Sequence, residues 1–447
     1  MKREFSWDLI NLSIITVIVV NYFNIYWHYW FVTFLGGTIV KLWIPPALLL
    51  SLIGMKNVIL NQQPSLKKDR IFPVKILCCI YIVFGILSLV AHDGGLWYIG
   101  KYSLFMFMPV VIFGIIIGYC KSNELIEKVL QTLFICGLLI SFHTEFLYLF
   151  GIVNNQSIGA SIGGIDVQGS ADLFQSNLGN INRHTMPGLG INTYAAMLPP
   201  LALIGLFMGF KNNGFLKYFF FLSFLFLSYA ILATLSRSAF IALIIGLLVF
   251  IWFTDKNKYF LFFIVCSSVF IMVLSNAGVL LRIIGPLLSY EFFANSDYLA
   301  SIAMEHGLRT NADPHITIID KSLSIARENP IFGAGMNKML SVNEHNRYVE
   351  IYATNGLLGI IPYVAIIIAV VLITRNVLIE EIKQNSQQKE IGIILFSGVI
   401  AFTFYMNSAP SEFYFYWIWF GLSIAWARNC DKNRRYFEKS LKIVSNP

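Results

Sequence analysis

The sequence contains few charged residues. Asp, Glu, Lys and Arg make up 13% of its 447 residues, whereas a soluble domain contains about 25%. Hydrophobic residues make up 57% of the chain. A chain with so little charge cannot cover its surface with solvated side chains. The composition therefore excludes a soluble globular protein and predicts an integral membrane protein.

Several patterns that indicate cofactors are also missing. No Gly-rich nucleotide loop of the Walker type occurs, and no acidic pair resembles the aspartate signature of nucleotide-sugar transferases. The histidines share no metal-ligand spacing, and the cysteines lie within or beside apolar runs, without the spacing of a disulfide framework or a zinc site. The cysteines are Cys78, Cys79, Cys120, Cys136, Cys266 and Cys430. We therefore expect no cofactor and no metal.

The formal net charge of +8 is explained by membrane topology, so we expect no nucleic-acid partner. Lys and Arg concentrate in the cytoplasmic loops of membrane proteins. With the N-terminus in the cytoplasm, 22 of the 32 basic residues lie in inner loops, each of which is short and basic. The starting sequence MKREFSWDLI is not followed by a small-residue cleavage site, so the first apolar run is expected to stay as a helix. Both termini are predicted to be cytoplasmic.

Apolar runs long enough to cross a bilayer recur along the chain. A span needs roughly 20 predominantly apolar residues. Twelve such runs predict an all-α polytopic membrane protein, with one integral membrane domain over residues 1–447. The runs lie at about 8–27, 36–54, 73–91, 104–120, 129–150, 190–209, 216–234, 238–253, 259–276, 351–374, 390–406 and 412–428.

Two outer connections are long. The first, 151–188, is rich in Gly, Ser and Asn, and the second, 277–350, lies between the ninth and tenth spans. Within the second, DPHITIIDKSLSIARENP predicts a short helix. Asp313 can cap its start, Pro314 suits its first position, and Asn329-Pro330 ends it. We expect Lys321 and Arg327 to face water.

Arg237, in TLSRSAF, lies where two apolar runs meet almost without a loop. A charged residue at the edge of a span is costly and therefore informative. Arg237 either snorkels to the outer interface or caps a helix, or it faces a water-filled cavity and binds an anion. A planar guanidinium can hold phosphate oxygens with two parallel hydrogen bonds.

A second basic pair, Arg183 and His184, precedes the sixth span. The free N–H groups at the start of that helix would also attract an anion. Taken alone, the pair is typical of an ordinary basic loop. Two outer arginines, each beside a span end, favour an anionic ligand. Arg282 and Arg309, in the long outer loop, are weaker candidates for the same site.

His345, in EHNRYVEIYATNGLLG, lies at the predicted outer start of the tenth span. A lone histidine at a helix end is more often a surface residue than a catalyst, but the near-neutral pKa of imidazole suits it to take a proton from a hydroxyl. Glu344 and Glu350 are alternative bases, or they orient the ring. Asn346 either binds substrate or caps the helix. The binding candidates around the histidine are Glu344, Asn346, Arg347 and Tyr348.

Four stretches together resemble the bacterial O-antigen ligase and polymerase superfamily. They are Arg183 with the following PGLGINTYAA, TLSRSA, NPIFGAG, and HNRYVEIYATNGLLG. The last two are the most specific: a Pro-x-x-Gly-x-Gly turn, then His-Asn and a Gly-Leu-Leu-Gly helix start. One departure is that no Trp follows Gly307-Leu308-Arg309, which weakens the assignment of Arg309. The correspondence runs from about the fifth to the tenth span.

The resemblance implies a glycosyltransferase of GT-C-like architecture in the bacterial cytoplasmic membrane. The family moves sugar chains from undecaprenyl pyrophosphate on the outer face, without metal or nucleotide. By resemblance, Arg183 and Arg237 would be the pyrophosphate-binding arginines and His345 the essential histidine, and the anomeric carbon would be inverted. The implied partners are undecaprenyl-pyrophosphate-linked glycans and membrane lipid, with a chain-length regulator protein as a further candidate.

Three activities stay open at this point. A polymerase adds the chain to another lipid-linked repeat unit, and a ligase adds it to the core sugars of lipopolysaccharide. The abundance of Phe, Tyr, Ile, Lys and Asn is common among polymerases of the family, so polymerase is favoured. A flippase usually places its charges near the bilayer midplane, whereas the candidate charges here lie at the outer ends of spans. A purely structural scaffold leaves Arg237 unexplained.

Overall fold

The computed structural model describes residues 70–92, 109–150, 191–234, 236–254, 314–335, 346–408 and 415–445. Within these ranges the chain is helical and contains no strand. The helices are α1 (Phe72–His92), α2 (Pro109–Tyr119), α3 (Asn123–Leu149), α4 (Ile191–Lys211), α5 (Phe215–Ala233), α6 (Arg237–Phe253), α7 (Pro314–Glu328), α8 (Arg347–Lys383), α9 (Lys389–Tyr405) and α10 (Phe415–Ser445), with a 3₁₀ helix at Met406–Ser408.

Five of the described helices are long and apolar enough to cross a membrane: α1, α3, α4, α5 and α8. The prediction of an all-helical, multi-pass membrane protein is confirmed for the described residues. The predicted spans at 8–27, 36–54 and 259–276 lie outside them, so the count of twelve stays a prediction.

The chain divides into two compact units. The unit formed by residues 134–318 contains most of α3 and the helices α4, α5 and α6. Its α4 is buried along most of its length, and α5 and α6 pack against it. In contrast, α5 exposes large apolar side chains, including Phe215, Leu222 and Tyr229. An exposed apolar face of this kind is suited to contact with lipid.

The other unit, residues 1–133 and 319–447, is built around α8, α9 and α10. The first half of α10 is buried on all sides and supplies Trp417, Trp419 and Trp426 to the core. Gly392 and Gly398 of α9 leave the space that the last two of these rings occupy. The Trp419 indole also donates to the Leu395 carbonyl oxygen at 3.2 Å. Small residues opposite large rings thus set how closely α9 and α10 pack.

Charged residues link the predicted cytoplasmic ends of α1, α8 and α10. Arg70, just before α1, donates two hydrogen bonds to Glu380 of α8 at 3.0 and 3.1 Å. Arg434 of α10 pairs with Glu380 and, at 3.1 Å, with Glu381. Most of this cluster is partly exposed, so each pair stabilises the fold by only about 0–1 kcal/mol.

The short helix predicted in the long outer loop is confirmed. α7 begins at Pro314 and ends at Glu328, directly before Asn329-Pro330. Ala326 is buried, whereas Lys321 and Arg327 are exposed as expected. The predicted cap, Asp313, lies outside the described residues.

Candidate functional site

The structure describes only part of the predicted site. Asn346, Arg347 and Tyr348 are described in full, and Arg237 is described only as the first residue of α6, without its side chain. The remaining predicted residues lie outside the described ranges: Arg183, His184, Arg282, Arg309, Glu344 and His345. Their roles therefore stay predictions.

The junction at Arg237 is as short as the sequence predicted. α5 ends at Ala233 and α6 begins at Arg237. Two hydrogen bonds fix the turn: the Thr234 hydroxyl donates to the Ile231 carbonyl oxygen at 2.6 Å, and the Ser236 N–H donates to the Thr234 hydroxyl oxygen at 3.2 Å. The first N–H groups of a helix have no partner within it. Arg237 therefore lies at a helix start that can accommodate an anion.

The predicted tenth span is not one continuous helix. Within α8, Gly356 has φ 63° and ψ −160°, a conformation that is open essentially only to glycine. The backbone breaks there into a half-helix, residues 347–355, and a long helix from Leu357 onwards. The span predicted at about 351–374 lies within this helix, but the sequence did not predict the break inside it.

A loop of the outer segment, residues 329–335, fills the break. The Leu357 and Leu358 N–H groups donate to the carbonyl oxygens of Pro330 and Ile331 at 2.8 and 3.2 Å. In return, the N–H groups of Ala334 and Gly335 donate to carbonyl oxygens of the half-helix, those of Ala353 and Thr354, at 2.8 and 3.1 Å. The NPIFGAG motif thus replaces the hydrogen bonds that the broken helix loses, which is how broken helices are tolerated in membrane proteins.

The half-helix doubles back along the long helix. The rings of Tyr348 and Tyr363 have centroids 6.1 Å apart, although 15 residues of straight helix would separate them by about 22 Å. Two contacts with α1 support the same conclusion. Ser88 of α1 bonds to Thr354 at the break, while Tyr81, about 10 Å further down the helix, packs on Tyr363 with centroids 5.8 Å apart. The start of the half-helix is therefore turned back towards Tyr363 rather than extended beyond Gly356.

Three consecutive residues at this start are each held by a different contact. The Asn346 side-chain oxygen accepts from the N–H groups of Tyr348 and Val349 at 3.1 and 3.2 Å, so Asn346 caps the helix. The Arg347 guanidinium pairs with Glu350 at 2.9 Å. The Tyr348 hydroxyl donates to the Thr403 carbonyl oxygen of α9 at 3.0 Å.

The ion pair is buried, and three tyrosines are electrostatic neighbours of its arginine. Arg347 and Glu350 are only 8% and 4% exposed, and Arg347 interacts electrostatically with Tyr81, Tyr363 and Tyr416. These three residues come from α1, α8 and α10, and the Tyr363 hydroxyl lies 3.1 Å from that of Tyr416. All three rings are buried.

The sequence did not assign a role to Tyr81, Ser88, Tyr363 or Tyr416. Buried tyrosines in apolar runs resemble ordinary core residues, so no sequence pattern singled them out. The Arg347–Glu350 pair did have a signal, because opposite charges three residues apart share a helix face. Among the described residues, no three His, Cys, Asp or Glu side chains lie together so that they could hold a metal ion.

The comparisons with known proteins agree with the resemblance seen in the sequence. Residues 222–364 match the family model described as O-antigen ligase. The match begins in α5, includes Arg237 and ends directly after Tyr363, so it contains the whole doubled-back segment. No curated protein matches the chain significantly. The family fits glycosyltransferase-type activity in O-antigen biosynthesis. Over residues 222–364 the chain is therefore similar to the O-antigen ligase family, which supports the superfamily that the sequence indicated.

Proposed function

We propose that the protein is a polymerase of lipid-linked oligosaccharide repeat units. It would transfer a glycan chain from undecaprenyl pyrophosphate to a sugar hydroxyl of another lipid-linked unit. The observation that carries the proposal is the O-antigen ligase match, which covers both Arg237 and the segment around His345. The polar start of the half-helix, directly after His345, supports a site in that segment.

The proposed chemistry needs a base and cations. An acceptor hydroxyl oxygen attacks the anomeric carbon and loses its proton to the His345 imidazole. The bond from that carbon to the pyrophosphate oxygen breaks on the opposite face, and its electron pair leaves with the pyrophosphate. Arg183 and Arg237 stabilise the developing charge. The anomeric carbon is inverted, and no metal or nucleotide takes part. The substrate-binding residues in this proposal are His184, Arg282, Arg309, Glu344, Asn346, Arg347 and Tyr348.

The reaction would occur at the periplasmic face of the bacterial cytoplasmic membrane. Donor and acceptor are both tethered to lipid, so transfer is confined to the interface. The predicted topology puts the start of α6 and the break in α8 on this outer side. A chain-length regulator protein is a further proposed partner.

An O-antigen ligase is the second candidate, because the matched family is described by that activity. Polymerase and ligase differ only in the acceptor. Deleting the gene and separating the cell-surface polysaccharide on a gel distinguishes them. Single-repeat lipopolysaccharide supports the polymerase. Bare core with polymer retained on the lipid carrier means a ligase, and loss of outward-facing lipid-linked units means a flippase.

The site assignment is tested by transfer between lipid-linked repeat units in purified protein. His345→Ala and Arg237→Ala should each abolish transfer, and Arg237→Lys should be partly active because lysine keeps the charge but loses the two-pronged geometry. His143→Ala on α3 and Arg327→Ala on α7 are the matched controls and should stay active. Full activity of Arg237→Ala would refute the pyrophosphate assignment. A chelator should leave the rate unchanged, and sensitivity to it would require a metal in the mechanism.

A further inference from the structure

We propose that the buried Arg347–Glu350 pair is a positioning element, which fixes the backbone that carries His345, rather than a part of the substrate-binding surface. This inference rests on the proposed function, in which His345 is the base. It revises the role of Arg347 and adds Glu350 to the residues on which transfer depends.

The first observation is the burial of the pair. Two charges at 8% and 4% exposure lose most of their hydration. Their mutual attraction offsets this desolvation cost only when the geometry of the pair is well defined. Arg347 is also the first residue of its helix, where a positive charge opposes the helix dipole, whereas Glu350 in the same turn favours it. Helix stability alone therefore does not account for Arg347.

The second observation is the charge balance. The Arg347 guanidinium donates to Glu350 at 2.9 Å, so the pair carries no net charge with which to attract a pyrophosphate. Its other neighbours include Tyr81, Tyr363 and Tyr416, which are neutral phenols. The Arg347 Nε makes no hydrogen bond to any residue that the structure describes.

The third observation is that the segment beside the pair, residues 346–348, is held by several contacts. Asn346, Arg347 and Tyr348 are tied by the cap, by Glu350 and by the Thr403 carbonyl oxygen. Consecutive Cα atoms are only about 3.8 Å apart, so we expect these contacts to restrict the backbone of His345, the preceding residue. Arg347 also interacts electrostatically with Tyr81 of α1 and Tyr416 of α10. Loss of the pair should displace His345 without removing a contact to substrate.

Steady-state transfer by the full-length protein in lipid nanodiscs tests the proposal, with a lipid-linked repeat unit as the probe. The variants are Glu350→Gln, Arg347→Met and the double variant Arg347→Met/Glu350→Met. Each single variant should lower kcat by about 10- to 100-fold with KM changed less than about twofold. The double variant should be no slower than the worse single variant, because both substitutions remove the same constraint. Charge reversal, Arg347→Glu with Glu350→Arg, should recover part of kcat.

A substrate-binding role gives a different pattern. Arg347→Met would then raise KM, whereas Glu350→Gln, which frees the guanidinium, would lower KM or leave it unchanged, and this pattern overturns the proposal. If the single variants do not fold, the double variant decides, since it carries no unpaired charge. A lower kcat at unchanged KM supports positioning, and a raised KM overturns it.

Glu380→Gln is the matched control, because it breaks a partly exposed pair on the same helix and should change neither constant. Wild-type protein that transfers no lipid-linked glycan would refute the proposed function, and this inference would be refuted with it. An active wild type with unaffected pair variants refutes the inference alone.

Discussion

Replacing Gly356 by alanine tests the broken helix directly. Its φ of 63° and ψ of −160° cost a residue with a side chain about 1–3 kcal/mol. The added methyl group would also overlap the carbonyl carbon and oxygen of Ile331 and lie within 2.5 Å of the Gly333 nitrogen. All three are backbone atoms, so no side-chain rotation can relieve the overlap.

The 329–335 loop must therefore move away from α8. Four backbone hydrogen bonds join the two, from Leu357, Leu358, Ala334 and Gly335. At about 1 kcal/mol each, their loss adds to the strain and gives a total of about 5–7 kcal/mol. This is comparable to the whole stability of many domains, so we expect Gly356→Ala to detach the loop or to unfold the outer end of the unit.

Gly214→Ala is the control for this substitution. Gly214 has the same φ of 63°, but an added Cβ would meet nothing within 4 Å. It should cost only the backbone strain, about 1–3 kcal/mol. The assay is the fraction of each purified protein that stays folded after stepwise heating in detergent, followed by tryptophan fluorescence. If Gly356→Ala lost no more stability than Gly214→Ala, the close packing of the loop into the break would be refuted.

A further substitution tests a neighbouring contact by the same heating assay. The Ser88 hydroxyl lies 2.6 Å from the Phe332 carbonyl oxygen and 3.0 Å from that of Thr354, so Ser88→Ala should cost about 1–2 kcal/mol. Ser223→Ala should cost less than about 0.5 kcal/mol, because that hydroxyl bonds only within its own helix; equal losses would refute a linking role for Ser88.

Sequence signals were sufficient for features that depend on neighbouring residues alone, such as helix ends and short junctions. Proline at a helix start and Asn-Pro at its end were enough to place α7 between residues 314 and 328. The length of the apolar runs was enough to predict the membrane-spanning helices among the described residues. Even the short junction before Arg237 followed from two runs that meet without turn residues.

The break at Gly356 could not be predicted, because it depends on a partner more than 20 residues earlier in the chain. A glycine inside a helical pattern is usually tolerated, and nothing in TNGLLG requires a positive φ. The positive φ and the approach of Ile331 and Gly333 together make glycine necessary. The sequence placed Arg347 among the substrate-binding residues because of its charge. Arg347 is buried, and it interacts electrostatically with Tyr81 and Tyr416, which lie on helices far away in sequence.

The break also determines how deep the polar segment lies. If α8 were straight, Asn346 would lie ten residues, or about 15 Å, beyond Gly356 and away from the bundle. The break instead turns the start of the half-helix towards Tyr363, so that the rings of Tyr348 and Tyr363 have centroids 6.1 Å apart. Thr403 and Tyr416 lie at the predicted outer ends of α9 and α10, so under the proposed function the half-helix would bring the segment after His345 to the level of a lipid-tethered substrate.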